Sequence, residues 1–555
     1  MPAPRHANLG KAVDEAGGLG PGGADRVGAG RRGSAGQADA SPRPRSLTAW
    51  LRLAWQTRSA LGLTARNVTI GLSLVLLLGG YVALDVHDVV PGFLTRQAPH
   101  IQPAPFPQIA GMDNLPDSHL VLPAAGSGPV QFDAADVQGL VAALAADERM
   151  AGNLSVLVVD AVTGDTLGSY GSHLPVTPAS TLKTLTGLAV AYSIDWDSTL
   201  DTRTVLMGED TVVLVGGGDM MLASGSGNPE AVHGRAGLGD LAAATAQALG
   251  DRGISQVRLV LDDSLFAAPF IQDTVPASEV AAGFVGPVAA LAVNVGLQGT
   301  DAYQGQGTRF EDPALVAAQR FALLLEEHGI TVTDAVERSV VSVSLEAGGQ
   351  GGAGRGQGQG SDLGQGLQEL AVVHSASIGE ITQFALLWSD NTLTELLGRL
   401  VAVHTGGTPT AQGAIEAVST TVTRLGLDLE GSTLADLSGL ARDSRLTARL
   451  LVDVAALSAA PGSGNLRHLA LSNPIAGMSG SLANRFTGDD AGRGFVRAKT
   501  GTLPGVVGLA GTVVTQGQRL LLFAVIADDI DSPFDARIAI DSFVNQLVAV
   551  DGLLG

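Results

Sequence analysis

The sequence predicts an α+β protein: helices covering an antiparallel sheet, with a separate block set into the middle and an apolar segment ahead of the whole. Three observations carry this. Strand signals come in an early pair, Leu154–Asp160 and Thr166–Tyr170, and return late at Phe495–Thr500, Val506–Thr515 and Arg519–Ala527. Helical periodicity lies between and after those groups. The 555 residues exceed what one compact core holds, so several domains are expected.

Along the chain, residues 1–46 are rich in Gly, Ala, Pro, Ser and Arg and read as disordered, within a tail running to residue 66. Val68–Leu84 is an uncharged apolar run at the lower limit for crossing a bilayer, and it places a transmembrane anchor at 67–86. Arg52, Arg58 and Arg66 precede it, and Asp85 and Asp88 follow. The positive-inside rule therefore puts the N-terminus in the cytoplasm and the body outside the cell membrane. Residues 87–130, with Pro91, Pro99, Pro103, Pro105, Pro107 and Pro116, read as a stalk.

The main domain is expected from 131–199 and 376–555, and an inserted domain from 200–375. Within the first part, Thr163-Gly164-Asp165 supplies the turn of the strand pair. Thr177 and Pro178 open a helix that lasts to about Ile194. The insertion carries strands at Val212–Val215 and Val257–Leu261, a helix near Leu238–Leu249, and a Gly/Gln-rich flexible loop at 348–366. After it, Ile378–Val403 reads as one helix, and a helix begun by Ser532-Pro533 closes the chain.

Composition excludes several chemistries. Cysteine is absent, which removes thiol nucleophiles, thiolate metal sites and disulfides. The ten histidines form no HExxH pair, and no GxSxG elbow occurs. Residues 1–66 carry ten Lys and Arg against four Asp and Glu, whereas the remainder carries 23 against 50. So acidic a body does not suit nucleic acid as a partner.

Lysine usage is the most telling count. Of 33 basic residues only Lys11, Lys183 and Lys499 are lysines. Where any cation would serve, this chain uses Arg. The two body lysines point to something Arg cannot do, which is to lose a proton near neutral pH.

Each body lysine sits in a motif. Ser180-Thr181-Leu182-Lys183 places a hydroxyl and an amine three residues apart, on one helix face, where the amine can take the hydroxyl proton. Lys499-Thr500-Gly501-Thr502 ends a strand and offers donors to a cleft, with Gly501 allowing a ligand backbone to come close. Between them, Ser389-Asp390-Asn391 interrupts an apolar helical run, which is costly unless the polar groups are paired or face a cleft. Taken singly, each has an ordinary explanation: a helix surface, an N-cap, an edge strand guarded by lysine. Taken together and in this order, SxxK, SDN and KTG form the motif set of penicillin-recognising serine enzymes.

Ser180 and Ser389 stand 209 residues apart, and Ser389 and Lys499 stand 110 apart. With that long first interval, the chain resembles the D-alanyl-D-alanine carboxypeptidase/endopeptidase family, the class C low-molecular-mass penicillin-binding proteins. The resemblance covers about 130–555, through PASTLKTLTG, VVLVGGGDMML, LDDSLF, WSDNTLTELLGR, DLSGLAR and VRAKTGTLPGVVGLAG. It departs at Leu437, where the family usually has Gly, and at Ser479, where an Asp-Gly pair is common.

The resemblance implies a β-lactamase/transpeptidase-like domain acting on peptidoglycan stem peptides and acylated by β-lactam antibiotics, with no metal or cofactor. Ser180 would attack the penultimate D-alanine carbonyl, with Lys183 accepting its proton. Ser389 would relay a proton to the leaving group, and Asn391 would orient Lys183 and the substrate amide. Lys499, Thr500 and Thr502 would hold the terminal carboxylate. A β-lactamase and a non-catalytic cell-wall scaffold remain as alternatives at this point. Carboxypeptidase and endopeptidase activity stay unseparated.

Overall fold

The computed structural model describes residues 134–299, 303, 305–341 and 367–551. The tail, the apolar run Val68–Leu84, the stalk and the Gly/Gln-rich stretch at 348–366 lie outside the described residues. Backbone contacts divide the chain at residues 120 and 121, and every described residue belongs to the second unit. Among the described residues no helix is long and apolar enough to cross a membrane.

The chain opens with α1 (Ala134–Ala145), β1 (Asn153–Asp160) and β2 (Thr166–Tyr170). It continues through α2 (Lys183–Ser193), β3 (Thr199–Met207), β4 (Thr211–Gly216) and β5 (Asp219–Leu222). Next come α3 (Leu238–Gly250), β6 (Gln256–Asp262), α4 (Ala277–Ala281), β7 (Leu291–Val293) and α5 (Pro313–Glu327). After β8 (Thr331–Val332), β9 (Glu337–Arg338) and β10 (Leu367–Ser377) the chain is helical: α6 (Ile378–Trp388), α7 (Asn391–Thr405), α8 (Ala411–Arg424), α9 (Ala448–Ala459) and α10 (Arg467–Ser472). It ends in β11 (Val496–Leu503), β12 (Val506–Val514), β13 (Leu520–Asp528) and α11 (Pro533–Ala549).

The first and last strands build one antiparallel sheet in the order β11-β12-β13-β1-β2. Side chains of a strand alternate between faces, and here both faces are covered. Val156, Val158, Phe523 and Val525 pack with Val137 of α1 and with Ile540, Phe543 and Leu547 of α11. Leu157, Val159, Leu522 and Ile526 pack in a second core with Leu185 of α2 and Leu450 of α9. Each such side chain contributes about 1.5–3 kcal/mol by leaving water. The fold is thus α+β, with the sheet between two helical layers.

The material between β3 and β10 forms a second, mixed sheet in the order β10-β3-β4-β6-β8, with β9 also on β6. β5 and β7 form a separate parallel pair.

Two local expectations are corrected. The helix expected from Thr177 begins later: Ala179–Leu182 is a 3-10 turn entered through Pro178, and the α-helix starts at Lys183. Thr177 is no cap; its amide donates to Asp528 Oδ2 at 2.8 Å. The single helix expected over Ile378–Val403 is two. Ser389 takes left-handed angles (φ 56°, ψ 37°) and ends α6, and the Asp390 carboxylate caps α7 by accepting from the Leu393 amide at 2.7 Å. The apolar periodicity runs through both helices, so it hides the break between them.

Candidate active site

Three segments meet where the helical layer touches the edge strand β11. The 3-10 turn before α2 brings Ser180, the α6–α7 break brings Ser389 and Asn391, and β11 brings Lys499–Thr502. They border a cavity of about 980 Å3 lined by Ser180, Ser389, Asn391 and Thr502. Phe284, Tyr303, Phe384 and Trp388 form an aromatic wall around it. Lys183 and Lys499 lie beneath the surface, each 0% exposed.

Lys183 Nζ has three partners: Ser180 Oγ at 2.9 Å, Asn391 Oδ1 at 2.6 Å and the Ser438 carbonyl at 2.6 Å. Two of these can only accept. The Asn391 amide is oriented by its own nitrogen, which donates to the Phe284 carbonyl at 3.0 Å and so turns the oxygen toward the lysine. A neutral amine has two hydrogens and one lone pair. With both hydrogens committed to acceptors, the lone pair is left for the Ser180 hydroxyl. Burial pushes Lys183 down to about 8, against the pull of the Asp436, Asp390 and Glu395 carboxylates, which favour its charge. At neutral pH roughly a tenth of it is the free base.

Of those carboxylates Asp390 belongs to the Ser389-Asp390-Asn391 motif, whereas the sequence gave Glu395 and Asp436 no role. Glu395 Oε1 accepts from the Leu437 and Ser438 amides, both at 2.9 Å. Burial first, then the nearby Asp436 charge, pushes it up to about 7. Asp436 accepts from the amides of Gly439, Leu440 and Ala441 and the hydroxyls of Ser438 and Ser444. This turn presents the Ser438 carbonyl to Lys183.

Lys499 Nζ donates to Ser389 Oγ and to the Thr500 carbonyl, both at 3.0 Å. Burial, then the charge of Lys183, pushes it well below the usual lysine range. Thr500 Oγ1 lies 2.7 Å from Ser481 Oγ, another residue that no motif pointed to. Thr502 Oγ1 donates to the Gly501 carbonyl at 2.8 Å.

Gly501 has a structural reason besides the one the sequence suggested. A side chain there would come within 2.7 Å of the Pro178 carbonyl oxygen and 3.3 Å of the Ser180 nitrogen. The close approach is to the turn that carries Ser180. Gly439 (φ 78°) crowds the same turn from the opposite element, where a Cβ would collide with the Ala179 carbonyl. The two glycines let β11 and the 436–441 turn clasp Ser180, and Ala179 is held at a positive φ of 46° between them.

Known proteins share a family with this chain over most of its length. The model of the D-Ala-D-Ala carboxypeptidase 3 (S13) family matches residues 137–309 and 301–547. Carboxypeptidase DacB of Mycolicibacterium smegmatis is 32% identical over 487 residues, spanning 87% of this chain and 96% of that relative. Carboxypeptidase Rv3627c of Mycobacterium tuberculosis is 31% identical over 437 residues, spanning 77% and 86%. Among solved structures, penicillin binding protein 4 (dacB) from Haemophilus influenzae matches with a TM-score of 0.57 at 18% identity, covering 74% of this chain and 98% of that one. That last likeness is one of fold.

Proposed function

The chain belongs to the D-Ala-D-Ala carboxypeptidase 3 (S13) family of serine-type hydrolases, and from that premise we propose how its residues divide the work on peptidoglycan stem peptides. The observation that carries the assignment is the 2.9 Å contact between Ser180 Oγ and a buried lysine whose other two partners can only accept.

Ser180 attacks the carbonyl carbon of the penultimate D-alanine, and its proton passes to Lys183. Proton transfer of this kind contributes typically ~10²–10⁴-fold. The negative oxygen is received by the amides of Ser180 and Thr502; such donors contribute several kcal/mol in a dry site. The C–N bond then breaks. Ser389, which accepts from Lys499, relays to the departing D-alanine nitrogen the proton that Lys183 took from Ser180, and water then releases the acyl group from Ser180. Lys499, Thr500 and Thr502 bind the terminal carboxylate. The arriving anion favours the charged form of Lys499 against the effect of its burial. Asn391 keeps Lys183 in line and offers its second amide hydrogen to the substrate. A β-lactam enters by the same route, and its acyl group stays on Ser180. A cross-linked stem peptide, whose scissile D-alanine amide joins two strands, is cut by the same steps wherever the cleft admits it.

The same reading places the tail 1–66 in the cytoplasm, an anchor at 67–86, a stalk at 87–130, the peptidase domain at 131–199 and 376–555, and an inserted domain at 200–375. The apolar run Val68–Leu84 and the charge asymmetry around it support this topology. Protease added to intact spheroplasts is expected to remove the body; protection until lysis would refute the placement.

The test of the reaction is release of free D-alanine from an acylated tripeptide ending in D-Ala-D-Ala. The protein is expected to release it and Ser180→Ala is not. Equal release by both would overturn the assignment.

A further inference from the structure

Among the described residues, the material between β3 and β10 makes four polar contacts with the α6–α7 break, on three consecutive residues. Tyr303 Oη donates to Asp390 Oδ2 at 2.7 Å, and the Arg309 guanidinium lies 4.0 Å from the same oxygen. The Phe284 carbonyl accepts from Asn391 Nδ2 at 3.0 Å. The Gly286 amide donates to Thr392 Oγ1 at 3.0 Å. The Asp390 side chain is 0% exposed, and its other oxygen is used in capping α7.

The turn needs such a grip. Ser389 stands at φ 56°, a left-handed conformation that is strained for a non-glycine residue and persists only where its surroundings impose it. On one side of this turn Ser389 meets Lys499 and on the other Asn391 meets Lys183. A small rotation here would disturb both lysines together.

We propose that Tyr303 is a positioning residue for acylation: through Asp390 it holds the Ser389–Asn391 turn in the geometry that aims the Lys183 lone pair at Ser180. The inserted block is then part of the catalytic architecture. Burial and the Asp390 charge push the Tyr303 hydroxyl up, so it remains a donor throughout the working pH range. Its ring is held independently, edge-on to Phe384 at 4.8 Å and near Trp388 at 6.4 Å. Replacing Tyr by Phe therefore cuts the hydrogen bond and leaves the packing in place.

This inference rests on the acyl-enzyme reading above, and the two fail differently. Failure of that reading leaves the unaltered protein unlabelled by penicillin; failure of this one leaves Tyr303→Phe as fast as the unaltered protein. The experiment separates reversible penicillin binding from the first-order acylation constant on the full chain. Tyr303→Phe is expected to lower the acylation constant about tenfold, the loss of one hydrogen bond to a charged group, with binding unchanged within about twofold. In an Asp390→Ala background the same change is expected to cost nothing more, because the two act as one unit. An unchanged acylation constant, a loss confined to binding, or an undiminished tenfold loss in the Asp390→Ala background would each overturn the proposal. If Asp390→Ala does not fold, the split between binding and acylation decides alone.

Discussion

Lys183 and Lys499 are both fully buried and each reaches a serine of the site, Ser180 and Ser389 respectively, yet their surroundings are opposite. Three carboxylates, Asp436, Asp390 and Glu395, pull on Lys183 and hold it near 8 in spite of its burial. Lys499 has hydroxyl and carbonyl partners, and the charge bearing on it is that of Lys183, which pushes it further down. The difference supports the roles proposed for them. A lysine supplied with counter-charge by its own protein can gain and lose a proton in place. A lysine buried without one awaits an anion from outside, as a substrate carboxylate or the carboxylate of a penicillin.

The comparison breaks first at Lys183→Arg. Arg keeps the charge and cannot become a base, so acylation by fluorescent penicillin is expected to fall ~10²–10⁴-fold, with circular dichroism confirming the fold. Lys499→Arg preserves what that site requires, a cation with donors, and its loss is expected to be smaller, about tenfold, and to appear in binding. Small, equal losses at the two positions would erase the distinction.

A subtler change sharpens it. Glu395→Gln removes one of the carboxylates that favour charged Lys183, so Lys183 is expected to titrate lower. Burial pushes Glu395 up only to about 7, so its charge is present where Lys183 titrates, near 8. The rising limb of the acylation profile should move toward lower pH by on the order of one unit or less. A shift to higher pH would mean that Glu395 does not act on Lys183 through its charge.

The site was legible in the sequence to the extent that its chemistry is local. Ser180 and Lys183 share one turn, and Lys499–Thr502 share one strand, so spacing alone groups them. The scarcity of lysine in an arginine-rich chain marked both. The helix break at Ser389 was hidden because apolar residues continue on both sides of it. Asp436 and Glu395 lie within the matching segments DLSGLAR and WSDNTLTELLGR, yet the chain has 54 acidic residues, and what sets these two apart is burial beside Lys183, which only the tertiary structure shows.

The departure at Leu437 also becomes intelligible in three dimensions. Its side chain fills the notch beside Gly398 of α7, where a Cβ would collide with it. The larger residue is thus seated on the helix side and leaves the Glu395-bound amides of Leu437 and Ser438 in place. The sheet order follows from chain pattern at its ends, but the pairing of β1 with β13 joins residues more than 360 apart, which no local signal specifies.

The central claim is that Lys183, as a neutral amine, takes the Ser180 proton. Its most direct test is the pH dependence of the first-order acylation constant at saturating penicillin, measured from pH 6 to 9.5. Saturation removes the contribution of carboxylate binding at Lys499. The account predicts a constant that rises about tenfold per unit at low pH and levels off above a midpoint near 8, following the free-base fraction of Lys183. A profile flat across that range, or one that falls as pH rises through 8, would contradict it.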